Sequence, residues 1–270
     1  LEKKSIPLIL MNARITNKSF KRWKLFNQFT RNIFESIKIA FPSNSDSDKY
    51  LKKLNVKKIK NIGNLKFSEI SNKKNIKLPI SFLKPIKNRL ILCASSTHPS
   101  EEKIIANVHS HLKSKINNLL TIIIPRHVQR IKEINEEIKS LGLRTIVRSA
   151  NEKIEKETDI YLVDTYGETK KFFNISKVAF IGGSIVNHGG QNPIEPARFN
   201  LNIIHGPNID NFKDIYRLFD EKKAAFKIKN ISELKKISLK LLKGNKRKKM
   251  NLSNMGNLIL KKSEAEILKI

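Results

Sequence analysis

Five times between Arg89 and Pro207 a short apolar run stops abruptly at a turn of small, polar or histidine residues. "RLILCASS" runs into "SSTHP", "LLTIIIP" into "PRH", "DIYLVD" into "DTYGE" and "KVAFIGG" into "GGSIVNHGGQNPIE", while "LNIIHGP" carries its own "HGP". Such runs read as strands and the longer amphipathic stretches between them as helices. The alternation is that of βα units around a parallel sheet, an α/β fold. In such a sheet the carboxyl ends of the strands share one rim, and ligands bind there. The five turns are expected to converge on one cleft, because a purely structural sheet does not need them all.

The remaining segments fill in the pattern. "IPLILMNAR" and "IKIAFPSN" read as strands, "NKSFKRWKLFNQFTRNIFES" as one helix and "KKIKNIGNLKF" as a further strand. "DSDKYLKKLN" opens with acids that suit the positive end of a helix. Periodicity lapses from Ser68 to Asn88 around Pro79 and Pro85, which predicts a linker over 68–87 between domains 1–67 and 88–270. In the second region "THPSEEKIIANVHSHLKSK" carries a helix-start signal, and "VQRIKEINEEIKSLG" ends at Gly142 as a C-cap. "LRTIVRS" adds a strand. "ETKKFFN" and "NPIEPARF" are short helices, and "NFKDIYRLFDEKK" and the lysine-rich C-terminal segments read as helices.

Val178–Asn200 contains no lysine, in a chain with 54 Lys and Arg against 24 Asp and Glu. Four of the ten glycines, Gly182, Gly183, Gly189 and Gly190, fall here, where they would let backbone approach a ligand and take positive φ. Proline early in the "NPIEPA" helix leaves free N–H groups that attract phosphate. Glu195, in the first turn, suits paired ribose hydroxyls, and Arg126 in "IIIPRH" suits phosphate. Together these predict a nucleotide site. The triphosphate loop G-x-x-x-x-G-K-[ST] and an early G-x-G-x-x-G are both absent. His98, His127 and His188 lack metal-ligand spacing, so no metal or other cofactor is expected.

The net charge of +30 fits either attraction to polyanions or the lysine, isoleucine and asparagine bias of an AT-rich genome. One cysteine, Cys93, excludes an internal disulfide framework and suits a reducing compartment. Aromatic residues are few and no nucleic-acid reader motif is present, so no nucleic-acid partner is expected.

"IPLILMNARITNKSFKRW", "GNLKF", "ASSTHPSEE", "IIIPRH", "YLVDTYGE" and "AFIGGSIVNHGGQNPIEPA" resemble, in this order, the 3-deoxy-D-manno-octulosonic acid (Kdo) transferases. The resemblance implies a GT-B fold with two Rossmann-like domains: part of the acceptor domain over 1–67 and the nucleotide-sugar domain over 88–270. It implies inverting, metal-independent transfer of Kdo from CMP-Kdo to a lipid A precursor in lipopolysaccharide synthesis. The place implied is the cytoplasmic face of the bacterial inner membrane, against an anionic surface. CMP would contact Pro125 and Arg126, the turn Gly167, Glu168 and Thr169, and Asn192, Pro193, Ile194 and Glu195. Ser96, His98, Gly182, Gly183, Ser184 and Gly190 would support the donor site. Lys66 matches a lysine proposed to stabilise the transition state, where a cation offsets charge on the departing phosphate.

Two positions depart from the family pattern: Ser100 stands where glycine is common, and Thr169 where "GEL" or "GEM" is usual. The family's general-base glutamate has no counterpart, which gives the expectation of a fragment that binds CMP weakly and transfers little. Alternatives are a GT-B transferase using another nucleotide sugar, a basic binding protein without catalysis, and a decayed remnant.

Overall fold

The computed structural model describes residues 6–68, 76–244 and 252–270. It divides into two compact units, Leu1–Asn72 with Asn251–Ile270, and Lys73–Met250.

In the first unit, β1 (Leu8–Ala13) and β2 (Ile37–Pro42) pair in parallel. The single helix expected between them is two, α1 (Asn17–Leu25) and α2 (Asn27–Glu35). The break at Phe26 (φ −110°, ψ 58°) has no glycine or proline behind it. The Thr30 hydroxyl donates to the Trp23 carbonyl across the joint, and Phe34 packs edge-on to Trp23. Helix α3 (Ser45–Lys53) starts as its acids suggest: Asn44 accepts the Ser47 N–H at 2.8 Å, and Asp46 and Asp48 lie in the first turn. Phe20, Phe34, Ile37, Ala40, Leu51 and Val56 form this unit's core.

"KKIKNIGNLKF" does not form the expected strand. It makes one parallel bridge, Ile59 to Ala40, and then a 3-10 turn over Leu65–Ser68. Asn side chains replace strand pairing there: Asn12 accepts the Leu65 N–H and Asn64 accepts the Lys66 N–H.

The second unit holds seven parallel strands: β3 (Leu90–Thr97), β4 (Leu119–Pro125), β5 (Thr145–Val147), β6 (Ile160–Leu162), β7 (Val178–Ile181), β8 (Asn202–His205) and β9 (Ala225–Lys227). Their order is β5-β6-β4-β3-β7-β8-β9. The chain places β4, β5 and β6 on one side of β3, with β6 between β4 and the edge strand β5, then returns to lay β7 against the other side of β3. The β3–β7 pair is therefore the topological switch point, where α/β sheets hold their ligands.

Every residue of β4, β6, β7 and β8 is buried, which explains apolar runs without alternation. Helices α5 (Glu101–Lys113), α6 (Ile131–Ser140) and α10 (Ile231–Lys243) contribute Ile105, Val108, Leu112, Ile134, Leu234 and Leu242 to the core against the sheet. Shorter helices α7 (Thr169–Ile175), α8 (Ile194–Arg198) and α9 (Lys213–Glu221) also belong to this unit. Strand β9 was not anticipated; its "AFK" lies between two lysine-bearing helices and carries little apolar signal.

Two expectations about organisation need correction. Residues 69–75 of the expected linker lie outside the described residues, but much of the rest is helix α4 (Ile80–Ile86). Its Phe82 packs edge-on to Tyr161 at 5.1 Å and to Phe172 at 6.0 Å, so burial of one aromatic outweighs Pro85 within the helix. The last helix, α11 (Leu252–Ile267), belongs to the first unit rather than to an unbroken 88–270 domain. Gly256 makes this packing possible: a Cβ there would lie 2.4 Å from the Phe67 carbonyl oxygen, on the 3-10 turn.

Candidate functional site

The centre of the rim is held by a residue that the sequence presents only as part of a helix start. Glu101, first residue of α5, is wholly buried. One carboxylate oxygen accepts the N–H groups of His98 (3.0 Å) and Gly183 (2.7 Å). The other accepts those of Ser184 (3.1 Å) and Ile185 (3.0 Å). Four backbone donors from the turns after β3 and β7 thus meet one anion, which satisfies the buried charge.

Gly183, Gly189 and Gly190 take the positive φ expected of them, and Gly182 has a packing role besides. A Cβ on Gly182 would lie 2.3 Å from the Ser96 carbonyl oxygen and 2.6 Å from the Thr97 Cα. Gly182 lies in close approach to the neighbouring strand. Gly183 (φ +66°) turns the chain so that three successive N–H groups face Glu101. Gly189 faces the Asn211 side chain and Gly190 the Asn208 carbonyl.

The Ser184 hydroxyl accepts the Gly206 N–H at 2.9 Å and donates to the Ile181 carbonyl. The Gly190 N–H returns to the Gly183 carbonyl, and the Tyr216 hydroxyl donates to the Gln191 carbonyl. The loop is a braced structure whose conformation is set by the protein itself.

Around it stand three histidines. The His98 and His188 rings stack at 4.2 Å, and His127 lies edge-on to His98 at 5.9 Å. Burial, then the neighbouring His188, His127 and Arg126, push the His98 pKa down to about 4. His98 is thus neutral at pH 7 and accepts the Gln191 amide N–H at Nε2 (3.3 Å), which leaves its proton on Nδ1. Among the described residues no group of three or more His, Cys, Asp or Glu could hold a metal ion.

Pro125 closes β4, and the Arg126 N–H donates to the Thr97 carbonyl while its side chain is exposed. Gly167 (φ +78°) has open space beside its Cα. The Glu168 carboxylate is committed within the protein. Arg148 binds it through two nitrogens at 3.0 and 3.2 Å, Lys171 at 2.7 Å, and the Thr165 hydroxyl also donates. Burial opposes its charge, but these donors outweigh it and bring the pKa down to about 2. Any ligand at this turn would meet backbone of Gly167–Thr169 more readily than the Glu168 side chain.

Asn192 accepts the Ile194 N–H at 3.0 Å and Pro193 precedes α8. Glu195 is about one-third exposed (36%), with Lys170 Nζ 3.6 Å away. An ion pair this long and this wet is worth about 0–1 kcal/mol, so a hydroxyl-bearing ligand can displace it. Pro125, Arg126, Gly167, Thr169, Asn192 and Glu195 all follow carboxyl ends of strands of one sheet. Lys66 belongs to the other unit, in the 3-10 turn.

Besides Glu101, the sequence reading missed Arg148 and Tyr216, whose roles depend on partners 20 and 25 residues away. For Glu101 a signal existed: two adjacent acids after a strand-ending turn, in a lysine-saturated chain.

Ser100, at the N-cap of α5, has φ +74°, so a serine occupies a left-handed position that glycine takes at less cost. Ser100→Gly is expected to stabilise the chain by about 0.5–1 kcal/mol, a Tm rise of about 1–4 °C in a thermal melt.

The fold and site define a parallel α/β protein of the GT-B glycosyltransferase class. One solved neighbour in fold is the trehalose-6-phosphate synthase OtsA, with TM-score 0.54 and 12% identity, covering 99% of this chain and 68% of that one. The C-terminal CMP-Kdo binding domain of WaaA from Acinetobacter baumannii aligns at TM-score 0.57 and 30% identity, covering 65% of this chain and 91% of that domain. A family profile described as 3-deoxy-D-manno-octulosonic-acid transferase (kdotransferase) matches residues 1–69. The 3-deoxy-D-manno-octulosonic acid transferase of Rickettsia bellii is 34% identical over 232 residues, 86% of this chain and 55% of that protein. This chain belongs to the 3-deoxy-D-manno-octulosonic acid transferase family. It spans about half the length of the curated relatives it matches.

Proposed function

We propose that this chain carries the donor site of a Kdo transferase, binding CMP-Kdo for inverting, metal-independent transfer to a lipid A precursor in lipopolysaccharide synthesis. The observation that carries the reading is the rim: Pro125–Arg126, Gly167–Thr169 and Asn192–Glu195 follow three strands of one parallel sheet around its β3–β7 switch point. It is supported by the 30% identity to a domain whose title names CMP-Kdo binding. In this reading Arg126 meets the phosphate, Glu195 exchanges Lys170 for ribose hydroxyls, and the Gly167 turn offers backbone to the base.

The chain would work at the cytoplasmic face of the inner membrane. Exposed Leu25, Phe26 and Phe29 lie on or beside helices that carry exposed Lys21, Arg22 and Lys24, a composition suited to anionic lipid.

Calorimetric titration tests the donor reading. Saturable binding of CMP is expected, at least about tenfold tighter than UDP and lost in Glu195→Ala. Equal affinity for UDP would point to another nucleotide sugar, and salt-dependent RNA binding stronger than CMP binding would replace the reading altogether. Sedimentation with anionic vesicles, reversed by salt, tests the location; indifference to lipid charge would sink it.

A further inference from the structure

We propose that Glu101 is a positioning residue of the donor site: its buried carboxylate fastens the turn after β3 to the turn after β7 and thereby sets the ligand-facing segment that follows. Four observations point to it. The carboxylate is wholly buried, yet all four of its hydrogen bonds are to backbone N–H groups, those of His98, Gly183, Ser184 and Ile185, at 2.7–3.1 Å. Those groups come from turns on either side of the switch point, 82 to 84 residues apart from Glu101 on the β7 side. The irregular end of β3 and the turn after it contain two non-glycine residues at positive φ, Ser96 (+55°) and Ser100 (+74°), so this segment needs bonds from outside to hold its shape. Finally, each fastened turn holds the next segment: Gly183 accepts the Gly190 N–H at 2.8 Å, and His98 accepts from Gln191 at 3.3 Å. Gln191 directly precedes Asn192–Glu195.

A chemical consequence follows. Three successive N–H groups after a strand would ordinarily form an anion site. Here the protein fills that site with its own carboxylate, so a ligand anion finds no free donors at Gly183, Ser184 or Ile185. The phosphate of a bound nucleotide must be met elsewhere on the rim, and Arg126 is an exposed cation there. Adjacent Glu102 is equally buried but is bound by Arg130 at 3.1 Å and takes no N–H from either turn.

The test compares the 270-residue chain with Glu101→Gln and Glu102→Gln, and it rests on the donor-site reading only for its ligand, CMP. Glutamine keeps the shape but turns one oxygen into an N–H2 group facing backbone donors. At a temperature well below each variant's Tm, Glu101→Gln is expected to weaken CMP binding at least about tenfold, and Glu102→Gln by less than about threefold. Whatever stability each loses, a merely structural carboxylate would give the two variants the same affinity. A folded Glu101→Gln that binds CMP within about threefold of the parent overturns the proposal.

Amide hydrogen exchange provides an independent arm. In the parent chain the His98, Gly183, Ser184 and Ile185 amides are expected to be as protected as those of β3. Exchange at the rate of exposed loop amides overturns the proposal even if Glu101→Gln does not fold. Should the parent bind no CMP, the donor reading fails. Selectively faster exchange of those four amides in Glu101→Gln, with the sheet unchanged, would then still support the fastening role; unchanged exchange would overturn it.

Discussion

Asp159→Ala is expected to cost about 3–5 kcal/mol of folding stability, because it removes one anion from a buried network and leaves its partners unpaired. Asp159 is 4% exposed and immediately precedes β6, at the end of the sheet opposite the rim. It accepts from His109 Nε2 (3.3 Å), from Lys113 Nζ, and from the Arg144 N–H (2.9 Å). Since ionised Asp159 can only accept, His109 carries its proton on Nε2, and its Nδ1 accepts the Thr121 hydroxyl at 2.9 Å. Substitution strands the His109 and Arg144 donors in the interior. A calorimetric melt should register a Tm lower by about 6–20 °C. CMP affinity measured below that temperature should hardly change, since none of these groups lies on the rim. A Tm within about 2 °C of the parent would show that the network is replaceable.

The same network predicts the direction of acid denaturation. Burial opposes the charge on Asp159, but hydrogen bonds from His109, Lys113 and the Arg144 N–H outweigh it and hold its pKa well below the usual carboxylate range. A depressed folded-state pKa means that its stabilisation is present above the unfolded value of about 3.9 and is lost as pH falls towards the folded one. His109 acts in the same direction at higher pH: burial lowers its pKa, so the unfolded chain takes up the proton first as pH drops below about 6.5. Stability should therefore decline from pH 6.5 downward in the parent; Asp159→Ala should flatten only the part below about pH 4, because Asp159 raises the His109 pKa and its loss leaves the His109 contribution in place.

Gly182→Ala is expected to be a severely damaging single-methyl change at the rim. A Cβ there would sit 2.3 Å from one backbone atom of β3 and 2.6 Å from another, with no flexible side chain to move aside. Separating β7 from β3 at this point costs about 3 kcal/mol and shifts the Gly183–Ile185 amides away from Glu101. Stability and CMP affinity should fall together. Gly167→Ala is the contrast: nothing lies within 4 Å of its Cβ, and only the strain of φ +78° remains, about 1 kcal/mol. If both variants melt alike, strand contact is not what the Gly182 position requires.

Much of the second unit was legible because buried parallel strands leave a plain mark. "RLILCASS", "LLTIIIP", "KVAFIGG" and "LNIIHGP" are strands β3, β4, β7 and β8, since strands covered on both faces must be apolar throughout. The rim was legible for a related reason, since the turns at the carboxyl ends interrupt those runs with residues that do not suit a core. Where the signal weakened, so did the reading. The break at Phe26 has no helix breaker behind it, β9 is three residues long, and "KKIKNIGNLKF" has strand-like composition while asparagine side chains take its backbone bonds.

The sequence by itself therefore determined the class of fold, the family and the rim on which candidate residues gather, because apolar runs, glycine-rich turns and ordered motifs are local properties. Only the tertiary structure decided what individual residues do, because those roles depend on partners distant in the chain. It set Gly182 against the β3 backbone, and tied the Glu168 carboxylate to Arg148. It joined the last helix to the first unit through Gly256. It also made Glu101, one acid of a helix start, the anion on which two turns of the rim converge. A carboxylate's neighbours within three residues can be read from sequence; those 80 residues away exist only once the sheet has formed.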